Sequence, residues 1–213
     1  QTTKTGLVFL LNRETGEPIF PVEEREVPQG AIEGDYVSKT QPFPTKPAPL
    51  NPTYFDPDKA FGFTFWDRGH CKRTAKKLRN EGLFTPPSLE GSIHYPSGVG
   101  GNNWGGPAID PERNIMIVNT NNMASLIVMV PREDCGKPLK ELSINKTQER
   151  FTNIESNEGA PYCNLRSMGF FSPLGVPCTE PPRGTLTAVD LNPGEHLWNV
   201  PLGTSKDLAP FPF

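Results

Sequence analysis

The most constraining feature of this sequence is a turn that occurs twice with the same internal spacing. Leu10-x-Asn12-x3-Gly16-x3-Phe20 and Ala188-x-Asp190-x3-Gly194-x3-Trp198 place a small or apolar residue, Asp or Asn, Gly and a large aromatic at offsets 0, 2, 6 and 10. An Asp or Asn side chain caps the backbone amides of a tight turn, and glycine supplies a positive φ. The pattern therefore describes a strand, a turn and a return strand, with the aromatic ring packed flat between neighbouring sheets. Such a unit cannot bury its faces alone. Repeats of it stack radially into a β-propeller of antiparallel four-stranded sheets, an all-β fold.

Composition agrees with many short strands. The 213 residues suffice for one domain with a sizeable core, and 25 prolines and 20 glycines imply frequent turns and long irregular connections. With 35% apolar residues and a net charge of −3, the chain is neither a disordered acidic tail nor a basic nucleic-acid binder, and no nucleic-acid partner is expected. No run approaches the roughly 18 apolar residues of a membrane span. The opening Gln1-Thr2-Thr3-Lys4 resembles neither a signal peptide nor an initiation site, and the apolar run Gly6–Leu11 begins almost at once, so a fragment of a larger fold is expected.

Short β-leaning runs at Leu7–Leu11, Ile115–Val118, Leu126–Val130, Thr185–Val189 and His196–Val200 alternate with turn sequences, as in a β-meander. One segment reads as a short helix. Asp67 is its expected N-cap, Cys71, Ala75 and Leu78 share a face, and Gly82 is its expected stop. Its basic residues Lys72, Arg73, Lys76, Lys77 and Arg79 read as a solvated face rather than a site for an anionic partner. Residues 21–64, with Gln41–Pro49 as a rigid polyproline run, and residues 131–181 read as insertions within a single domain spanning 1–213. The four cysteines have no CxxC spacing and only three histidines around them, which argues against zinc. Cys163 and Cys178 flank a Pro- and Gly-rich loop and are the expected disulfide pair.

The second turn has the full A-x-D-x3-G-x3-W form and resembles the tryptophan-docking motif of the eight-bladed quinoprotein alcohol dehydrogenases; the first departs from it at Asn12 and Phe20. Thr3–Phe9 resembles the T-K-x-G-x-[VI]-[FY] strand of the membrane-bound quinoprotein glucose dehydrogenase group. Glu81–Ser88 is similar to its E-G-[IL]-F-T-P-P-S segment, and Gly100–Gly106 to its cofactor-facing N-W-G-G segment. Leu174–Cys178 and Gly184–Leu191 continue the match, and Asn103-Trp104-Gly105-Gly106 leans towards the quinate and polyol members.

The resemblance implies a fragment of an enzyme that oxidises a sugar, polyol or quinate-type alcohol with pyrroloquinoline quinone (PQQ) and passes electrons to membrane ubiquinone. It also implies a periplasmic location in a protein anchored to the bacterial inner membrane. Lys4 is the implied catalytic and cofactor-binding residue, since a fixed ammonium beside a quinone oxygen stabilises charge that develops there during reduction. Asn103 is the implied amide donor to the quinone, Trp104 the implied border of its ring system, and Asn102 a turn residue. The family's general base and its calcium or magnesium ligands lie in segments that precede this match. None of Asp35, Asp56, Asp58 or Asp110 fits the base motif, so the chain alone is expected to be inactive. Two readings compete: a non-catalytic propeller scaffold that binds proteins, and a carbohydrate-binding β-domain that would gather Trp66, Tyr95 and Trp104 on one face.

Overall fold

The structure is a computed structural model that describes residues 1–138, 141–142 and 153–204. In chain order its regular elements are β1 (Val22–Glu26), β2 (Thr40–Pro44), α1 (Phe65–Ala75), β3 (Ser92–His94), β4 (Ala108–Asp110), β5 (Ile115–Asn121), β6 (Ser125–Pro131), β7 (Asn153–Glu155), β8 (Tyr162–Arg166), β9 (Gly184–Asp190) and β10 (Glu195–Pro201). Every strand pairing is antiparallel. Two four-stranded sheets, ordered β10-β9-β5-β4 and β3-β6-β8-β7, dominate, with a two-stranded ribbon β1-β2 beside them. The sheets interleave in sequence: β6, β7 and β8 of the second lie between β5 and β9 of the first.

The repeated turn forms as its chemistry requires. Asn12 Oδ1 accepts from Glu14 N at 2.9 Å, and Asp190 Oδ1 accepts from Asn192 N at 2.9 Å. Gly16 and Gly194 take φ of 77° and 68°. The turn Asp110–Asn114 is a third, partial copy, with Asn114 in place of Gly and Val118 in place of the aromatic. Between β4 and β5, Asp110 Oδ1 accepts from Glu112 N and Arg113 N at 3.0 and 3.1 Å, and Asn114 adopts φ 55°. Asn tolerates that left-handed conformation better than most residues. The β4–β5 and β9–β10 turns then dock, with Leu191 N donating to Asn114 O at 2.8 Å.

In β5 Met116, Val118 and Thr120 point inward while Ile117 is partly exposed, the alternation of a sheet with one covered face. Met116, Val118 and Val189 pack with Val8 and Leu50 from the N-terminal part of the chain. The larger core lies between α1 and the second sheet, where Cys71 and Ala75 meet Leu126, Val128 and Leu165.

Several expectations change. Trp198 is 41% exposed, not buried between sheets, because β10 is an edge strand whose residues are all exposed. Leu7–Leu11 forms only isolated bridges, Thr2 to Val8 and Leu11 to Pro18, rather than a strand ladder. The N-cap of α1 is Thr64, whose hydroxyl accepts from Asp67 N at 3.2 Å; Asp67 is fully buried and accepts from Phe63 N at 3.0 Å. The helix ends at Ala75, well before Gly82. Its Lys72 and Lys76 both pair with Asp58, at 2.8 and 3.2 Å.

The disulfides differ as well. Cys71 bonds Cys178 and Cys135 bonds Cys163, with Cα separations of 5.6 and 5.9 Å. Loop composition misled the pairing. Sheet register sets Cys163 opposite Val130 near the end of β6, and Cys135 follows just beyond that end. Cys178 instead lies against the buried face of α1, its carbonyl accepting from Phe61 N at 2.8 Å. The Pro-rich segment 41–44 is β2, and its Phe43 ring packs edge-on against Phe84 at 5.8 Å. The later segment, 131–181, supplies β7 and β8 to the second sheet.

Candidate cofactor site

Lys4 lies at the tip of a tight reversal rather than in a strand. Gly6 N donates to Thr3 O at 3.0 Å, Thr3 N to Leu7 O at 3.1 Å, and Gly6 takes φ 80°. Positive φ at Gly6 lets the chain turn back within three residues. The Lys4 side chain is exposed at this tip, and its ammonium donates to Gly98 O at 3.3 Å.

The loop that carries Asn103 and Trp104 is bonded to the same tip. Gly101 N donates to Lys4 O at 2.7 Å, and Asn121 N at the end of β5 donates to Gly101 O at 2.7 Å. Asn102 is a buried tie: its Oδ1 accepts from Thr2 Oγ1 at 2.5 Å and its Nδ2 donates to Asn119 O at 3.1 Å. Beyond it the loop turns outward, with Gly106 N donating to Asn103 O at 3.0 Å. Asn103 is exposed and the Trp104 ring is 96% exposed, which rules out a core role for that ring within the described residues.

Lys4, Asn102, Asn103 and Trp104 line one open groove of about 1100 Å³, floored by apolar residues that include Val8, Leu10, Met116 and Leu191. Among the described residues its lining contains no Asp or Glu, and Lys4 is its one charged side chain. A smaller cavity of about 240 Å³ shares the Lys4 wall and is lined by Thr5, Phe84, His94, Tyr95 and Ser97 among others. Burial, with the Arg166 charge adding to it, holds the His94 imidazole below its usual pKa. Burial and the Glu180 charge push the Tyr95 phenol up to about 12. The hydroxyl of Ser97, buried beside this cavity, has no hydrogen-bond partner among the described residues.

The two glycine pairs of this loop have separate uses. A Cβ at Gly100 would lie 2.7 Å from Cβ and Cγ of Lys4, and one at Gly101 would overlap Asn51, so this pair makes room for protein atoms. A Cβ at Gly105 or Gly106 would meet nothing within 4 Å, so that pair is open to a ligand. The aspartates are occupied elsewhere: Asp56 caps a short 3-10 turn, Asp58 holds two lysines and Asp110 caps its β-turn. Of the three scattered aromatics, Trp66 stands on α1, Tyr95 packs edge-on to Phe55 at 6.0 Å and Trp104 borders the groove.

The antiparallel sheets agree with what the chain is similar to. Residues 1–213 match the family described as the PQQ glucose/ethanol/alcohol dehydrogenase beta-propeller domain. The chain belongs to this family. It is 36% identical over 98% of its length to the quinoprotein glucose dehydrogenase of Escherichia coli (strain K12), covering 26% of that protein. It is 31% identical to the probable quinate dehydrogenase (quinone) of Xanthomonas campestris pv. juglandis over 98% of this chain and 26% of that one. With the glycerol dehydrogenase large subunit of Gluconobacter thailandicus it shares 32% identity over 98% of this chain and 29% of that one. The chain thus spans about a quarter of the length of the curated relatives it matches. No solved structure matches it significantly.

The family implies PQQ, a planar tricyclic quinone that carries carboxylates. The groove suits it on three counts: an open glycine backbone at Gly105 and Gly106, an exposed indole face at Trp104, and a lining with a cation and no acid. A lone cation without an acid beside it favours an anionic ligand.

Proposed function

We propose that the chain forms part of a PQQ-dependent dehydrogenase that oxidises a sugar, polyol or quinate-type alcohol and delivers electrons to membrane ubiquinone. The observation that carries this reading is the junction of Lys4 and the Asn103-Trp104 loop on one acid-free groove. The names of its relatives, glucose, quinate and glycerol dehydrogenases, support the substrate class. Two disulfides support an oxidising compartment, consistent with a periplasmic enzyme anchored to the inner membrane. A calcium or magnesium ion belongs to the proposal through the family resemblance, with ligands outside this chain.

PQQ, when bound, supplies the two-electron acceptor, and this chain supplies binding, orientation and charge. The Lys4 stem is pressed against Gly100, which holds its ammonium at the wall of the groove, where it would offer a charged donor to an oxygen of the ligand. A donor fixed in place before charge develops stabilises the transition state more than the ground state. Asn103 offers a second, neutral donor, and the Trp104 indole covers a flat face and excludes water from it.

Lys4→Ala in the full-length protein is expected to lower kcat by about 10² to 10³-fold, the loss typical of one oxyanion donor, with the melting temperature unchanged. Lys4→Arg should keep part of the activity, since charge survives and geometry does not. PQQ affinity, titrated by tryptophan fluorescence quenching, should weaken in both variants. Unchanged affinity together with kcat within a factor of about two of the parent, far under that typical loss, would assign Lys4 to the surface.

A further inference from the structure

Asn51 is buried, 4% exposed, and lies outside the lining of the groove, yet it touches each piece that builds it. The preceding amide, Leu50 N, donates to Gly6 O at 2.9 Å, which sets Asn51 against the reversal that carries Lys4. Asn51 Nδ2 donates to Asn121 O at 2.9 Å and to Asn122 Oδ1 at 2.6 Å. Both of its hydrogens are therefore committed to the end of β5. Its Oδ1 is wedged between the Cα atoms of two glycines. A Cβ at Gly6 would lie 2.5 Å from it, and one at Gly101 would overlap it.

These contacts close a ring. Asn51 touches Gly6 and Gly101, Gly101 N binds Lys4 O, Asn121 N binds Gly101 O, and Asn51 binds Asn121 O in turn. Within that ring the Lys4 stem rests on Gly100. Asn51 Oδ1 is buried without a hydrogen-bond partner among the described residues. An unpaired buried acceptor lowers stability, so its presence calls for an explanation other than stability.

We infer that Asn51 is a positioning residue for the site proposed above: it locks the Lys4 reversal to the Gly100–Trp104 loop, so that the ammonium and the loop's donors face one ligand at fixed separation. This inference rests on the Lys4 reading. Asn51 acts through its neighbours and touches no ligand. Alanine at this position leaves both pieces in place but frees their relative motion.

The test is a double-mutant cycle in the full-length protein with Lys4→Ala, Asn51→Ala and the pair, reading PQQ affinity by fluorescence quenching together with kcat and KM for the alcohol. Asn51→Ala should weaken PQQ binding by about tenfold, the size of a lost supporting contact, and lower kcat with KM unchanged. In the Lys4→Ala background the same substitution should have an effect of less than about threefold, because residues acting as a unit are not additive. Asn51→Asp, which keeps the volume but turns an acceptor towards Asn121 O and Asn122 Oδ1, should reproduce the coupling.

If Lys4→Ala alone changes neither binding nor kcat, the reading of Lys4 fails. If Lys4→Ala acts but the Asn51 effect persists undiminished in its background, only the present inference fails. It is also overturned if Asn51→Ala lowers the melting temperature and leaves PQQ affinity as it was, or if neither Asn51 variant folds, since Asn51 then serves the fold alone.

Discussion

The two four-stranded sheets are finished in different ways. The sheet β3-β6-β8-β7 packs against α1 in a cluster with fifteen buried apolar residues, both residues of the Cys71–Cys178 bridge and Cys163 of the other among them. The sheet β10-β9-β5-β4 buries a cluster of five, and its edge strand β10 leaves Leu197, Trp198 and Val200 exposed. The helix-backed sheet is held by α1 and covalent bonds, whereas β10-β9-β5-β4 borders the groove through Ile109 and Met116 and keeps an open edge. The contrast separates a part of the chain that stabilises from a part that presents a site. Binding surfaces are drawn from the less buried elements of a fold because a ligand needs access to them.

The largest expected effect comes from the covalent links. Replacing Cys71 and Cys178 by alanine opens a separation of 107 residues and should cost about 4–5 kcal/mol by chain entropy. The Cys135–Cys163 pair, separated by 28 residues, should cost about 3–4 kcal/mol. Urea unfolding of the chain with each pair replaced ranks them. The reverse order would mean that the helix is not what completes the second sheet.

Packing gives the next effect. Leu165 is fully buried opposite Val128, so Leu165→Ala should cost about 2–5 kcal/mol. Trp198→Ala, on the exposed edge, should cost the chain about 1 kcal/mol or less despite removing a larger side chain. Equal losses in denaturant midpoints would erase the distinction between the sheets.

The smallest effect is a pH dependence confined to the second sheet. His94, at the end of β3, binds a proton less readily folded than unfolded, because burial and the nearby Arg166 charge oppose its charged form. The unfolded chain therefore takes up more protons as pH falls below the usual histidine value of 6.5, and stability declines across the window between that value and the lower folded one. Urea midpoints should fall between pH 7 and pH 6, a range set on order-of-magnitude grounds at about one unit around the free histidine pKa. His94→Gln should flatten the decline. A slope unchanged by that substitution would place the titrating group elsewhere.

Much of the local structure was legible. Asn12 and Asp190 could be read as turn caps because the bonds they make span two residues, and a glycine four positions later is a direct sign of positive φ. The buried face of α1 was legible from the spacing of Cys71 and Ala75. The Asp110–Asn114 segment was legible as a turn, and only its kinship with the repeat was hidden, by Asn114 in place of Gly and Val118 in place of the aromatic. Lys4, Asn103 and Trp104 were singled out by resemblance, Asn102 was expected as a turn residue and is instead a buried tie, and nothing in the sequence pointed to Asn51. The signal for Asn51 is the pair Gly6 and Gly101, whose missing Cβ atoms make its crevice, and that pair is meaningful only once the two glycines face each other.

What the sequence by itself determined is the set of turns, the β-leaning run Ile115–Val118 and the face that α1 buries, because each depends on bonds and periodicities a few residues long. Only the tertiary structure decided the cysteine pairing, the exposure of Trp198 and the meeting of Lys4 with the Asn103 loop. Those depend on which strands become neighbours and on where a sheet ends, as when the register of Cys163 opposite Val130 brings it to Cys135. A residue's own neighbours along the chain carry no record of that register, since the hydrogen bonds that set it join segments tens of residues apart.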